Sequence, residues 1–164
     1  MQSLMPAAEE LATLLKRRRE TVAVVESSAG GLMAAALLAV PGASAYFLGG
    51  AVVYTRQARG ALMGITDEAM KGLRSSSEPY AQLLAKTVCE RHGSHWGLAE
   101  TGAAGPSGNR YGDAAGHTCI AVFGPHQSVM TIETGDKDRH ANMRLFALRA
   151  LEALAASIRA AEKS

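Results

Sequence analysis

The sequence predicts an α/β domain in which helices flank one mixed β-sheet. Three observations point there. Short β-branched runs alternate with Ala- and Leu-rich helical stretches along the whole chain. Two of the strands end in Gly-rich segments, at 27–31 and 101–108, as strands do where an α/β sheet presents a ligand site. The last two alternating runs are separated by a four-residue turn, Gly124-Pro125-His126-Gln127, which marks an antiparallel hairpin in a sheet that is otherwise crossed over by helices.

The elements follow in order. Residues 4–19 form an amphipathic helix, with Leu4, Ala8, Leu11, Leu14 and Leu15 on one face and the basic run Lys16-Arg17-Arg18-Arg19 at a C-terminus whose dipole suits it. Val22, Val24 and Val25 mark a buried strand, and 32–38 a helix that runs unbroken to Pro41-Gly42. Residues 45–54 read as a strand in which Gly49-Gly50 signals a bulge or a close backbone approach. A short helix over 58–63 stops at Gly64, and Thr66-Asp67-Glu68 begins another. The helix over 78–91 tolerates Pro79 in its first turn, buries Tyr80, Leu83, Leu84 and Val88, and closes at Gly93. Residues 96–100 are a short buried strand. The loop 101–116 follows; a loop of this length inside a compact domain is usually functional. Strands at 117–123 and 128–134 and a final helix over 139–159 complete the chain. Met143, Phe146, Ala147, Ala150, Leu151, Leu154 and Ile158 line the core face of that helix.

Composition narrows the function. A chain of 164 residues with 48% hydrophobic and 20% charged residues suits one domain, 1–164, with its own core. Aromatic content of 5% is too low for a base-stacking nucleic-acid surface, and a net charge of +2 is too small to call for a polyanion. Cys89 and Cys119 make no disulfide framework, so reduced thiols in a cytoplasmic protein are expected. No apolar run is long enough to span a membrane. Glu9 and Glu10 precede the basic run, the reverse of a signal peptide. No pair of histidines or carboxylates has metal-ligand spacing, and neither a metal nor a cofactor is expected.

The chemistry concentrates in Glu26-Ser27-Ser28-Ala29-Gly30-Gly31. A strand that stops at a helix start leaves unpaired N–H groups that can hold an anion or a developing oxyanion, and Gly30 and Gly31 let the backbone approach a ligand. Ser27 or Ser28 is then a nucleophile candidate. The competing reading is a Ser28 cap and a tight Gly turn.

With these segments in place, the chain resembles the CinA C-terminal-domain family, the competence/damage-inducible proteins. Residues 26–31 match the family's E-S-C-T-G-G. Pro41-Gly42-Ala43-Ser44, Gly49-Gly50-Ala51-Val52-Val53-Tyr54 and Thr101-Gly102-Ala103-Ala104-Gly105-Pro106 follow in the family's order, and 135–139 is similar to its G-D-R turn. The similarity covers roughly residues 5–160. It implies a three-layer α/β/α fold. It also implies an amidohydrolase that converts nicotinamide mononucleotide to nicotinate mononucleotide and ammonia, with Ser27 as nucleophile, a Lys base assisted by Tyr54, and an Arg near the G-D-R turn on the phosphate. The sequence departs from that pattern at the base. Tyr54-Thr55-Arg56-Gln57-Ala58-Arg59 places Arg59 where the family has its Lys, and Ala29 replaces a Thr. Arginine stays protonated and has no acceptor, so it cannot take a proton from Ser27.

The candidate site residues are therefore Ser27, Tyr54 and Arg59 as catalytic or site-wall groups, with Gly30, Gly31, Thr101, Gly102, Gly105, Arg139 and Arg144 for substrate. Each also has a plainer reading: a turn serine, a core tyrosine, a surface ion pair, a solvated helix face. His117 and Glu100 are the candidates for a replacement base, His117 also being readable as a histidine fixed at a strand start. The alternatives to an amidohydrolase are a non-catalytic pyridine-nucleotide-binding module that has lost its base, or a hydrolase of a related amide. A small-molecule nucleotide is the expected partner, with no nucleic acid and no membrane, and a homodimer is expected from the family and the Ala-rich helices.

Overall fold

The computed structural model describes residues 1–163. Its centre is a five-stranded sheet in the order β2-β1-β3-β4-β5, formed by Val22–Glu26 (β1), Phe47–Val52 (β2), Trp96–Ala103 (β3), His117–Phe123 (β4) and Ser128–Glu133 (β5). β1 pairs in parallel with β2 and β3, whereas β3, β4 and β5 are antiparallel. The C-terminal ends of β1, β2, β3 and β5 and the N-terminal end of β4 thus share one edge.

Alternation along the strands builds two cores. Val22, Val24, Trp96, Leu98, Ile120 and Val122 face helices Met5–Arg18 (α1), Leu32–Ala39 (α2) and Arg139–Ala161 (α5). Ala23, Val25, Ala99, Cys119 and Ala121 face Glu78–His92 (α4) and the segment around Arg56–Met63 (α3). The result is the expected three layers. The second face is lined by small residues because α4 lies close against it. A methyl group at Gly97 would sit 2.0 Å from the Ala85 carbonyl oxygen, so only glycine fits there. Trp96, the one tryptophan, starts β3 on the other face, fully buried, and its indole N–H donates to Glu20 at 2.7 Å.

Most elements form where the sequence places them, with local corrections. β2 is shorter than 45–54, because residues Ala43–Ala45 turn as a 3-10 segment; Leu48 is the extra residue where the β1–β2 register shifts. No helix forms from Thr66-Asp67-Glu68: the chain makes successive turns to Gly72, which adopts positive φ, while the Asp67 carboxylate is turned onto Arg56 and Arg59. β3 runs past Glu100 through Thr101 and Gly102, which pair with Cys119 and Thr118, so the long loop begins only at Ala104. The basic run of α1 is held by its neighbours. Lys16 donates to the Pro41 carbonyl at 2.8 Å, and Arg18 forks onto Glu20 at 2.9 and 2.8 Å. Among the described residues no helix is long and apolar enough to cross a membrane.

Candidate functional site

Two buried carboxylates shape the turn after β1. The segment between β1 and α2 does not leave its N–H groups open, as the sequence suggested. Glu26, at the end of β1 and 1% exposed, folds back over the start of α2 and accepts from the backbone N–H groups of Gly31 (3.0 Å), Met33 (3.0 Å) and Ala34 (2.7 Å). A carboxylate placed on a helix N-terminus satisfies donors that would otherwise be orphaned and suits the dipole. Burial raises the Glu26 pKa, helped by the neighbouring Glu100, while the three N–H bonds pull it down.

Glu100 reaches the same turn from β3 and is fully buried. One of its oxygens accepts from Ser27 N–H at 3.1 Å and Ala29 N–H at 2.8 Å; the other accepts from the hydroxyls of Ser28 and, at 2.8 Å, Thr118. These four donors fill the roughly four lone-pair positions of a carboxylate. Ser28 is therefore no helix cap. The N-cap position belongs to Gly31, at φ 98°, and the capping acceptor is Glu26.

A cavity lies beside this turn, at the sheet edge where the strand ends gather. It measures about 530 Å³ and includes Ser27, Tyr54, Arg59, Thr101 and Gly102 in its lining, five of the residues singled out in the sequence. Residues the sequence did not flag complete the wall: Arg56, Ser75, Ser76 and Tyr80 on one side, and Asn109, Arg110 and Tyr111 of the long loop on the other. A smaller recess of about 160 Å³ holds Ser28, Gly105 and Arg139 and shares Tyr54, Gly102 and Asn109 with that cavity. Arg139 donates to the Gly105 carbonyl at 2.6 Å and to the Tyr54 hydroxyl at 3.3 Å. Gly30, Gly31 and Arg144 line neither space. Gly30 packs against Met143, where a methyl would lie 2.8 Å from the side chain, and its φ of 68° explains the glycine structurally.

Arg59 is 7% exposed. Its Nη2 donates to Asp67 Oδ1 at 2.8 Å, the same oxygen that accepts from Arg56 Nε at 2.8 Å. Arg56 also holds the second Asp67 oxygen, so one exposed carboxylate serves two guanidiniums. Both arginines hold the Asp67 carboxyl below its usual range, the hydrogen bond from Arg56 most of all. Arg59 Nε is buried and has no acceptor among the described residues. A buried donor left unmade costs about 1–3 kcal/mol, more when charged. Tyr80 lies next to this guanidinium, and burial raises its phenol against the opposing pull of Arg59.

The long loop is clamped to the opposite wall by charge. Arg74 forks onto Asp113 at 2.6 and 3.0 Å, and Asn109 donates to the same carboxylate at 2.8 Å. His117, 5% exposed, directs Nδ1 to Glu133 and Nε2 to the Ser76 carbonyl at 2.8 Å, with Asp113 at 3.7 Å. Both ring nitrogens thus face acceptors. Burial opposes the charge, but the bonds to Glu133 and Ser76 outweigh it and raise the pKa above 6.5. With both ring nitrogens turned to acceptors, His117 offers no free lone pair for a general base, and it does not line the cavity. Its contribution to stability is complete below the unfolded value near pH 6.5 and disappears as pH rises through the higher folded value. Wild type is therefore expected to exceed His117→Gln in unfolding free energy at pH 6, with the gap narrowing by pH 9 in urea titrations. A gap that widens with pH would refute this assignment. Among the described residues no group of three or more His, Cys, Asp and Glu is gathered as a metal ion would require.

The model of the CinA C-terminal domain matches residues 4–158. A CinA-like protein of Gloeothece citriformis is 36% identical over 118 residues, which is 70% of this chain and 28% of that protein. One from Desulfosudis oleivorans is 39% identical over 117 residues, again 70% and 28%. The chain thus spans about a quarter of the length of the curated relatives it matches. Among solved structures, a CinA superfamily protein from Klebsiella pneumoniae superposes with a TM-score of 0.88 over 95% of this chain and 98% of its own, at 24% identity, a likeness of fold. The competence/damage inducible protein CihA from Agrobacterium tumefaciens does so with a TM-score of 0.84 at 28% identity, over 93% of this chain and 94% of its own.

Proposed function

The chain belongs to the CinA C-terminal-domain family, and on that premise we propose that it binds a pyridine mononucleotide without hydrolysing the carboxamide. One observation carries this reading: none of the three candidate bases, Arg59, Glu100 and His117, has a free lone pair to take a proton from Ser27. Arg59 stands at the base position and has no lone pair to offer. Glu100 has its four acceptor positions taken by the turn and Thr118. His117 has both nitrogens on acceptors. The remaining walls suit a ligand that is flat and anionic. Tyr54, Tyr80 and Tyr111 supply aromatic surface, Arg56, Arg59 and Arg110 supply positive charge, and a volume of about 530 Å³ is within the range of small-molecule sites.

A second reading, amide hydrolysis with Ser27 as nucleophile, is favoured by the position of Ser27 and Tyr54 in one cavity with Thr101 and Gly102. Calorimetric titration with nicotinamide and nicotinate mononucleotides, run beside an ammonia assay on the amide, separates the two. Saturable binding with ammonia release no faster than in buffer is expected. Turnover lost in Ser27→Ala would establish the hydrolase instead, and failure to bind either nucleotide would remove the binding reading.

A further inference from the structure

We infer that Arg59 makes this cavity select a mononucleotide whose ring carries a carboxylate over one whose ring carries a carboxamide; the inference rests on the reading that the cavity holds a pyridine mononucleotide.

The argument begins with an imbalance of charge. Arg56, Arg59 and Arg110 all line the cavity, and among the described residues no Asp or Glu lines it with them. Asp67, outside that lining, is shared by two guanidiniums, and Arg56 already occupies both of its oxygens. Arg59 is the buried member of the pair and has a donor with no acceptor. Arg56 would keep that carboxylate paired if Arg59 turned to a ligand. The buried cation thus has Asp67 on Nη2 but no acceptor for Nε, and the cavity is where a ligand can supply one.

The chemistry of the partner follows from the donor set. A guanidinium offers only N–H groups, in a planar fork. A carboxylate accepts with both oxygens, so the fork is met twice and by opposite charge. A carboxamide accepts with one atom and turns an NH₂ against the other arm, donor against donor. The second anchor is Arg139, in the adjoining recess with Gly105, Ser107 and Gly108. Tyr54, Gly102 and Asn109 border both spaces, so the two guanidiniums flank a shared wall. That arrangement suits a ligand anionic at both ends, with its phosphate toward Arg139 and its ring carboxylate toward Arg59.

The test is isothermal titration of the purified full chain with nicotinate mononucleotide and with nicotinamide mononucleotide in the same buffer. The acid should bind roughly 10- to 100-fold more tightly, the range for charge-assisted hydrogen bonds. Arg59→Gln, which keeps a polar side chain but neither the charge nor the fork, should bring the ratio of the two affinities toward one. A merely structural arginine would change both affinities together and leave the ratio alone. Equal affinities in wild type, as when the phosphate rather than the ring acid takes Arg59, overturn the selectivity but not the binding function. An amide preference does the same. Absence of binding by both nucleotides overturns the two together.

Discussion

Glu100→Ala is expected to lower the unfolding free energy by about 3–5 kcal/mol, the scale for removing one partner of a buried charged network. The substitution leaves the N–H groups of Ser27 and Ala29 and the hydroxyls of Ser28 and Thr118 without their acceptor, and of these only Ser27 is more than slightly exposed. Each such orphan costs about 1–3 kcal/mol, and partial relaxation of the turn recovers some of the sum. Against a typical domain stability of about 5–15 kcal/mol the loss is a large fraction, so the comparison belongs in urea at low temperature. Glu100→Gln keeps the shape but turns one acceptor into a donor, and should lose much of the same stability. A loss below about 1 kcal/mol in the Ala variant would mean that the turn holds itself, and that Glu100 is free for other work.

Arg59→Lys is expected to gain ammonia release from nicotinamide mononucleotide, by about 10²–10⁴ over wild type, the usual contribution of a general base. Lysine at this buried position loses part of its charge preference through desolvation, and its amine then has a lone pair to offer Ser27. The gain should vanish in the double variant with Ser27→Ala. A variant that binds the amide and still releases no ammonia would show that the site lacks more than its base.

Much of this site is legible along the chain because its parts sit at the ends of strands with strong local signals. The valines of β1, the glycines after it, and the Thr-Gly pair of β3 announce a shared sheet edge through local pattern alone. Thr101 and Gly102 read as loop because glycine usually breaks a strand; here a methyl at Gly102 would lie 2.3 Å from the His117 carbonyl, so glycine is what lets β4 pair so closely. The role of Glu100 is not legible, since the contacts that fix it join residues up to 73 positions apart, and that of Glu26, whose partners lie within eight residues, hides behind the open N–H groups a Gly turn suggests. One signal does exist: each glutamate closes a run of buried residues, VAVVE and WGLAE, and a carboxylate at the end of such a run needs donors nearby. The cavity walls from Ser75, Ser76, Asn109, Arg110 and Tyr111 leave no local trace for a different reason. They belong to loops whose course is set by Arg74, Asp113 and His117, three residues from separate segments.

Trp96 gives the molecule a spectroscopic division of labour. The single indole is sealed in the core at the start of β3, while Thr101, five residues on and about 16 Å away along an extended strand, lines the cavity. Three of the four tyrosines, Tyr54, Tyr80 and Tyr111, line that same cavity. A red shift of tryptophan emission therefore reports the opening of the core, and a change in tyrosine emission reports an occupant of the cavity, so one sample carries separate optical gauges of folding and of occupancy.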